Sequence, residues 1–365
     1  MGGAERQSLQ VLDGLADAGF EVELWVWNEL KDQECLEVRP GVSVTFLDAY
    51  GRQRAEKLRF LEALLQRTGC PDLLFTVNFD MNLVAAWLRV RRRITCPIIS
   101  VLHSTVLPLR DQPRIMLYRV SMLLTERLVF VSQNQYRYWF RRGLGCFNGV
   151  TIRNGVDLDA FGADPMLRHS TRRRLGVPDD SVVIAVVAAF RKEKNHGQIL
   201  RVFGQLVKSH PATRLLLVGD GPMRPAIEDG IRVQGLNGKV ILTGRQHDVR
   251  PFLLASDIGV ICSVHYETLS LAALETLACG IPMIMSDLAG ASEIVRHGEN
   301  GLLFRRGDDA GLLQAIAAML DRKRRDTFSQ NARRSALSFG LAEMKAQYVA
   351  LALKVLALPA EGTTR

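Results

Sequence analysis

Apolar residues recur along this chain in two alternating rhythms. From Gln7 to Ala18, Leu9, Leu12, Leu15 and Ala16 fall on one helical face, and Gly19 ends the run. Phe20 to Trp27 then reads as a strand. The alternation repeats: Val42 to Leu47 as a strand, Ala55 to Gln66 as a helix and Leu73 to Val77 as a buried strand. Asn82 to Arg89 follows as a helix, Pro97 to Leu102 and Val129 to Ser132 as strands, and a helix opens near Gln133. Gly149 to Ile152 is the last short strand of this series. Residues 158–180 are polar, basic and turn-rich, which suggests a connection between domains.

A second series begins with the β-branched run Val182 to Ala189, a central strand by its character. Helix Gly197–Lys208, strand Arg214–Val218, helix Met223–Val233, strand Lys239–Thr243, helix Asp248–Ala255 and strand Ile258–Cys262 follow. Strand Met283–Ser286, the stretch from Asp287 to Val295, Gly301 to Phe304 and helix Ala310–Leu320 close the series. A final helix from Leu341 to Leu356 carries Leu341, Met344, Tyr348, Leu351 and Val355 at helical spacing. Strands alternating with helices imply parallel sheets covered on both faces. No repeat of solenoid period is present.

A length of 365 residues exceeds one ordinary core, so two domains are expected. Hydrophobic residues at 47% and charged residues at 23% place the chain among globular proteins. No apolar run reaches membrane-spanning length, and Met1-Gly2-Gly3-Ala4-Glu5-Arg6 opens the chain without the apolar core of a secretory signal. Six cysteines are scattered without a C-x-x-C pair, which argues against zinc or a disulfide framework and for reduced thiols in a cytoplasmic protein. The net charge of +9 is patchy, with clusters at Arg89 to Arg93, Arg137 to Arg142, Arg172 to Arg174 and Arg322 to Arg325. Such clusters are most often solvated faces. Their functional readings are phosphates or an anionic membrane surface, on which the protein would sit peripherally. Nucleic acid is not expected, because no nucleic-acid motif or interleaved aromatic platform accompanies the arginines.

The candidate chemistry centres on His265-Tyr266-Glu267-Thr268-Leu269-Ser270-Leu271-Ala272-Ala273-Leu274-Glu275. An apolar run reaching Cys279 is stopped by Gly280, so a helix is predicted, capped by Thr268 or Ser270. Glu267 would precede it and Glu275 would lie about two turns inside. Free N–H groups and the positive dipole end suit a phosphate, and carboxylates accept from sugar hydroxyls. The arrangement describes a nucleotide sugar. Asp248 is expected to cap its own helix.

These residues and their order resemble glycosyltransferase family four, retaining enzymes of the GT-B fold. Gly2-Gly3-Ala4-Glu5-Arg6-Gln7 is similar to the family's N-terminal glycine loop, and Ile152-Arg153-Asn154-Gly155-Val156-Asp157 to its inter-domain segment, with Arg153 in place of the usual proline. Arg191-Lys192-Glu193-Lys194-Asn195-His196 resembles the basic loop after the first strand of the C-terminal domain. Val218-Gly219-Asp220-Gly221-Pro222 and Val240 to Gly244 resemble the next two strand ends, and Glu267 with Glu275 matches E-x7-E.

The resemblance implies an α/β protein of two Rossmann-like domains facing across a cleft. A doubly wound domain places a strand before its first glycine loop, so that strand is expected to be missing here. Residues 1–160, with helix 341–357 returning onto them, would form the acceptor domain, and residues 175–337 the donor domain. Glu275 would hold the ribose hydroxyls and Glu267 would face the donor sugar. Lys194 and Arg191 would neutralise the diphosphate, although the family's common arginine position is Ala189 here. The backbone of Thr268, Leu269, Ser270 and Leu271 would complete the cradle. Gly2 and Gly3 would approach the phosphates or the acceptor, His103 in Val101-Leu102-His103-Ser104-Thr105 would contact the donor sugar, and Arg245 and Gln246 would line the base pocket.

The activity implied is retaining transfer of a hexose-type sugar from a UDP- or GDP-linked donor to a hydroxyl of a glycan or lipid-linked acceptor. It needs no metal and no cofactor, since the nucleotide sugar is a substrate. Alternatives are a sugar-nucleotide 2-epimerase of the same fold and a catalytically silent nucleotide-sugar-binding subunit. A nicotinamide-dependent oxidoreductase is disfavoured, because no G-x-G-x-x-G follows a strand.

Overall fold

The computed structural model describes residues 2–27, 38–47, 53–103, 115–144, 146–265 and 267–357. Cys35, Ser104, Thr105, Arg114 and Tyr266 lie outside them. The chain divides into two units, Met1–Asn154 with Leu341–Arg365, and Gly155–Gly340. Each is α/β with parallel sheets, the architecture of a Rossmann-like domain.

The first unit opens on α1 (Gly3–Asp17), four residues earlier than the apolar spacing predicts. The glycine pair is therefore not a loop ahead of the helix. Gly2 is the N-cap and Gly3 the first helical residue. Then come β1 (Glu23–Val26), β2 (Ser43–Phe46), α2 (Arg54–Thr68), β3 (Leu74–Val77), α3 (Asn78–Val90), β4 (Ile98–Leu102), α4 (Ile115–Leu123), β5 (Arg127–Phe130), α5 (Gln133–Phe140) and β6 (Gly149–Thr151). Strands β1 and β2 pair with each other, and a separate four-stranded sheet runs β3-β4-β5-β6, all parallel. One core lies between this sheet and α2 and α3, around Leu61, Leu64, Val84, Leu88 and Ile98. A second gathers Phe79, Tyr118, Phe130 and Trp139.

Helix α4 has no counterpart in the sequence reading. Its buried face carries Tyr118, Ser121 and Met122, but its exposed face is apolar too, so the contrast that marks an amphipathic helix is absent.

The second unit begins with another departure. The supposed connection at 158–180 contains a helix, α6 (Pro165–Arg174). Asp164 caps it by accepting from the Leu167 N–H, and Pro165 stands in its first turn, where a missing N–H costs nothing. Arg172 is not on a solvated face. It is 4% exposed and donates to the carbonyls of Ala255, Pro178 and Ser181 and to Asp257. Arg168 also pairs with Asp257, which accepts from the Val183 N–H at 2.7 Å.

The elements continue as β7 (Val183–Val187), α7 (His196–Ser209), β8 (Arg214–Val218), α8 (Arg224–Val233), β9 (Val240–Leu242), α9 (Arg250–Leu254), β10 (Ile258–Ile261), α10 (Leu271–Ala278), β11 (Met283–Ser286), α11 (Ala291–Ile294), β12 (Gly301–Phe304), α12 (Asp309–Leu320) and α13 (Arg322–Ala336). Asp248 sits one residue outside the cap of α9, whose N-cap is Val249, yet its carboxylate still accepts the Arg250 N–H at 2.9 Å. The sequence reading also missed α13. Its buried residues are Phe328, Ala332 and Ala336, about one apolar contact per turn in a run of arginines.

The six strands of this unit lie in the order β12-β11-β10-β7-β8-β9, all parallel. The strand order reverses between β10 and β7. Alternate residues of β7 serve opposite cores, Ile184 and Val186 on one side and Val183 and Ala185 on the other. That alternation explains why the strand is apolar throughout.

The last helix, α14 (Leu341–Leu356), returns to the first unit and packs on α1. The buried Gln7 amide donates to the Tyr348 hydroxyl at 2.9 Å, and burial raises the Tyr348 pKa above the usual phenol value.

Candidate functional site

In an open parallel sheet, ligands bind outside the carboxyl ends of the strands where their order reverses. In the second unit that point lies between the loops after β7 and β10. The β7 loop carries Arg191 and Lys194, and the β10 loop carries Ser263 and Glu267. The two are stitched together. The Val264 N–H donates to the Glu193 carbonyl at 2.9 Å, and Lys194 Nζ donates to Glu267 Oε2 at 2.7 Å. Ser263 Oγ donates to the same oxygen at 2.7 Å, and the Ser263 carbonyl accepts from Ser286 Oγ at the end of β11. Two residues 73 apart in the chain thus form one ion pair, with Glu267 only 7% exposed.

The β7 loop bends through a single 3-10 turn, Lys192–Lys194, and Asn195 closes it in the left-handed region at φ 51°. His196 then opens α7, buried edge-on against Phe190 at 4.8 Å. Burial, with the Lys194 charge nearby, lowers its pKa to about 4. Arg191 is exposed on the same loop.

Helix α10 begins at Leu271 with Ser270 as cap, its Oγ accepting from the Ala273 N–H. Thr268 and Leu269 therefore stand outside the helix. Glu275 is its fifth residue, little more than one turn in rather than two. The carboxylate is 3% exposed on a helix otherwise made of Leu, Ala and Thr. The backbone at Thr268 and Leu269 passes against Gly290. An ideal Cβ on Gly290 would lie 1.6 Å from the Thr268 carbonyl oxygen, and the Gly290 N–H donates to the Glu267 carbonyl. No spacing rule in the sequence singles out Gly290, Ser263 or Ser286. They matter only because β11 lies beside β10.

The β8 and β9 loops complete this rim. Gly219 and Gly221 have φ of 146° and 154°, open only to glycine, and Cβ atoms there would strike the Ala188 and Phe190 carbonyls. Arg245 is exposed near Asp220, whose pKa is lowered by the Gly221 N–H and by Arg224. Gln246 is half-buried, its amide donating to the Thr243 carbonyl at 2.7 Å.

His103, Gly2 and Gly3 belong to the first unit. His103 follows β4, its N–H donating to Asn78 Oδ1 at 3.1 Å, and burial lowers its pKa to about 4, so the ring is neutral at pH 7. Gly2 and Gly3 are exposed at the start of α1. Among the described residues no group of three or more His, Cys, Asp or Glu is placed to hold a metal ion.

A parallel-sheet domain with a paired lysine and glutamate at its switch point, and a second glutamate buried in an adjacent helix, fits the site that the sequence resemblance implies. The chain is a glycosyltransferase of the GT-B fold and belongs to the family-four type. Residues 1–160 match the glycosyltransferase family 4 model and residues 168–335 the model of glycosyl transferases group 1.

Over 93% of its length it is 27% identical to a D-inositol 3-phosphate glycosyltransferase of Thermobispora bispora, covering 86% of that protein. A shorter match, 34% over 40% of this chain and 41% of the relative, is to the lipopolysaccharide core biosynthesis glycosyltransferase LpsE of Rhizobium meliloti. The fold is that of Anabaena HepE, solved with UDP-glucose, at a TM-score of 0.85 and 20% identity over 97% of this chain and 96% of that one.

Proposed function

We propose that the chain transfers a hexose-type sugar from a UDP- or GDP-linked donor to a hydroxyl of a glycan or lipid-linked acceptor. Anomeric configuration is retained and no metal ion takes part. The observation that carries this reading is the Lys194–Glu267 pair at the switch point of the second unit. An ammonium has three donors and Glu267 uses one, so Lys194 retains N–H groups for phosphate oxygens. The leaving nucleoside diphosphate gains charge in the transition state, and a fixed cation there lowers the barrier. Arg191 adds charge on the same loop.

Glu275 accepts from the ribose hydroxyls, and Arg245 and Gln246 line the base. Glu267, held on one oxygen by Lys194 and Ser263, positions the donor sugar. The acceptor oxygen bonds to the anomeric carbon as the bond to the phosphate oxygen breaks, and its proton passes to that phosphate oxygen. The first unit holds the acceptor. The polyol and lipopolysaccharide names of the relatives support a hydroxyl-bearing acceptor.

The test is a thermal-shift screen of UDP- and GDP-sugars, followed by a transfer assay. Lys194→Ala is expected to lower turnover about 10²–10³-fold with nucleotide still bound. Glu275→Ala should weaken nucleotide binding about 10–100-fold, as loss of hydrogen bonds to a charged group does. Activity unchanged in both variants would overturn the site, and a stable glycosyl adduct on Glu267 would overturn the nucleophile-free route.

A further inference from the structure

Two cysteines distant in the chain meet at the entrances of β3 and β4. Cys70 follows α2, just past its cap Gly69, and Cys96 stands two residues before β4. The strands pair with Leu74 opposite Ile98, and the Leu74 N–H donates to the Pro97 carbonyl at 3.0 Å, so the segments leading into them run side by side. The Cys70 sulfur accepts from the Thr95 N–H at 3.4 Å, with the Thr95 hydroxyl at 3.9 Å. The Cys96 N–H and the Cys96 thiol donate to the same sulfur.

The two thiols differ in the way that stepwise oxidation requires. Cys70 is exposed and Cys96 is buried, so a small oxidant in water meets Cys70 first. Burial raises the Cys70 pKa, but the hydrogen bonds from Thr95 and Cys96 outweigh it and bring the thiol below its ordinary value. Cys96 is pushed up to about 12, by burial first and then by the neighbouring Cys70 sulfur. The thiolate is the reactive form, and donors gathered around a sulfur favour it. By contrast, burial raises both Cys262 and Cys279, so neither presents a thiolate to solvent. Cys96 is also held in place: Arg89 donates to its carbonyl, and Glu126 accepts from the Ile98 N–H at 2.5 Å.

We infer that Cys70 and Cys96 form a redox-active dithiol, in which a hydroperoxide oxidises Cys70 and Cys96 closes the disulfide. The Cys70 thiolate attacks one peroxide oxygen. The S–O bond forms as the O–O bond breaks, and the leaving hydroxide takes a proton. With hydrogen peroxide the products are a sulfenic acid and one water. The Cys96 sulfur then attacks the Cys70 sulfur, the S–O bond breaks, and the Cys96 proton leaves with the hydroxide as a second water. Together the thiols lose two electrons, which the peroxide gains. The sulfurs have only to close from hydrogen-bond contact to an S–S length of about 2.05 Å. The bond ties β3, α3 and the entrance of β4 into one covalent loop, which constrains the unfolded chain.

Hydrogen peroxide added to the full reduced chain tests it, read by intact mass, thiol count and peptide mapping. The parent is expected to lose the mass of two hydrogens and two of its six thiols, with the peptides of Cys70 and Cys96 linked, and to recover both thiols in dithiothreitol. Cys70→Ser should abolish the loss. Cys96→Ser should stop at the sulfenic acid, which dimedone traps on Cys70. Because Cys96 is buried, Cys96→Ala serves as a second variant, and the thermal midpoint of each is compared with that of the parent.

Oxygen added to Cys70 of the parent without a link to Cys96 overturns the proposal, as does no loss of thiols at all. So does a link that forms through Cys146 or between copies of the chain. Sulfenic acid trapped on Cys96 in Cys70→Ser would show that Cys96 reacts without its neighbour, which also overturns it. None of these readouts involves a nucleotide sugar, so failure of either reading leaves the other intact.

Discussion

At the residue scale, Gly290 illustrates a role that depends on space rather than chemistry. Its φ is ordinary, but the Thr268 carbonyl occupies the place of a side chain. Gly290→Ala must push back the backbone that follows Glu267. The expected cost is about 1–3 kcal/mol, as for other overpacked sites, with loss of any nucleotide-induced thermal shift. An unchanged midpoint and shift would show that the loop yields freely. The ionic residues behave differently. Glu267, Glu275 and Lys194 were legible from type and spacing within a familiar pattern, whereas the bond between Lys194 and Glu267 was not. Seventy-three residues separate them, and only the neighbouring positions of β7 and β10 bring them to 2.7 Å.

At the element scale, α10 is set against the sheet by Gly259 in β10. A Cβ there would lie 2.4 Å from Met283 Sδ and 2.6 Å from Thr276 Cγ2. Met283 can swing away, but Thr276 is branched and follows Glu275 on the helix. Gly259→Ala should therefore cost about 1–3 kcal/mol and weaken nucleotide binding by displacing the Glu275 turn. Adding Thr276→Ser removes the clashing methyl, keeps the hydroxyl bond to Ala272, and should restore part of both losses in thermal and binding measurements. No recovery in the double variant would show that helix position is not the link.

Helix α10 is also tied at its other end. The Arg333 guanidinium on α13 donates to the Ala278, Phe161 and Leu158 carbonyls, so a helix absent from the sequence reading holds one that was predicted. Elements with alternating or periodic apolar residues were found. α4, whose exposed positions are as apolar as its buried ones, and α6 and α13, polar nearly all round, escaped because periodicity needs contrast.

At the scale of the whole molecule, both units carry a buried imidazole held neutral. His103 in the first and His196 in the second have pKa values lowered from 6.5 to about 4, by burial in each and by Lys194 as well for His196. The unfolded chain takes up these protons below pH 6.5 and the native protein does not until near pH 4. Stability is therefore complete above about pH 6.5 and is lost as the pH falls toward 4. For His196 the loss amounts to roughly 3 kcal/mol at most, from about 1.4 kcal/mol per pKa unit. Thermal midpoints followed from pH 7 downward should fall more steeply for the parent than for His196→Leu. Parallel curves would show that this imidazole titrates normally.

The alternation of apolar strands and helices determined two α/β units with parallel sheets, because burial on both faces marks successive positions of central strands such as β4, β7 and β10. The family pattern of single residues, read in order, determined the sugar-transfer class. Tertiary structure alone decided the rest: which loops share a switch point, that Lys194 meets Glu267, and that Arg172 is buried. It also revealed that the solvent face of α4 is apolar. Each of these depends on which strands and helices become neighbours, and neighbours distant in the chain leave no periodic signal along it.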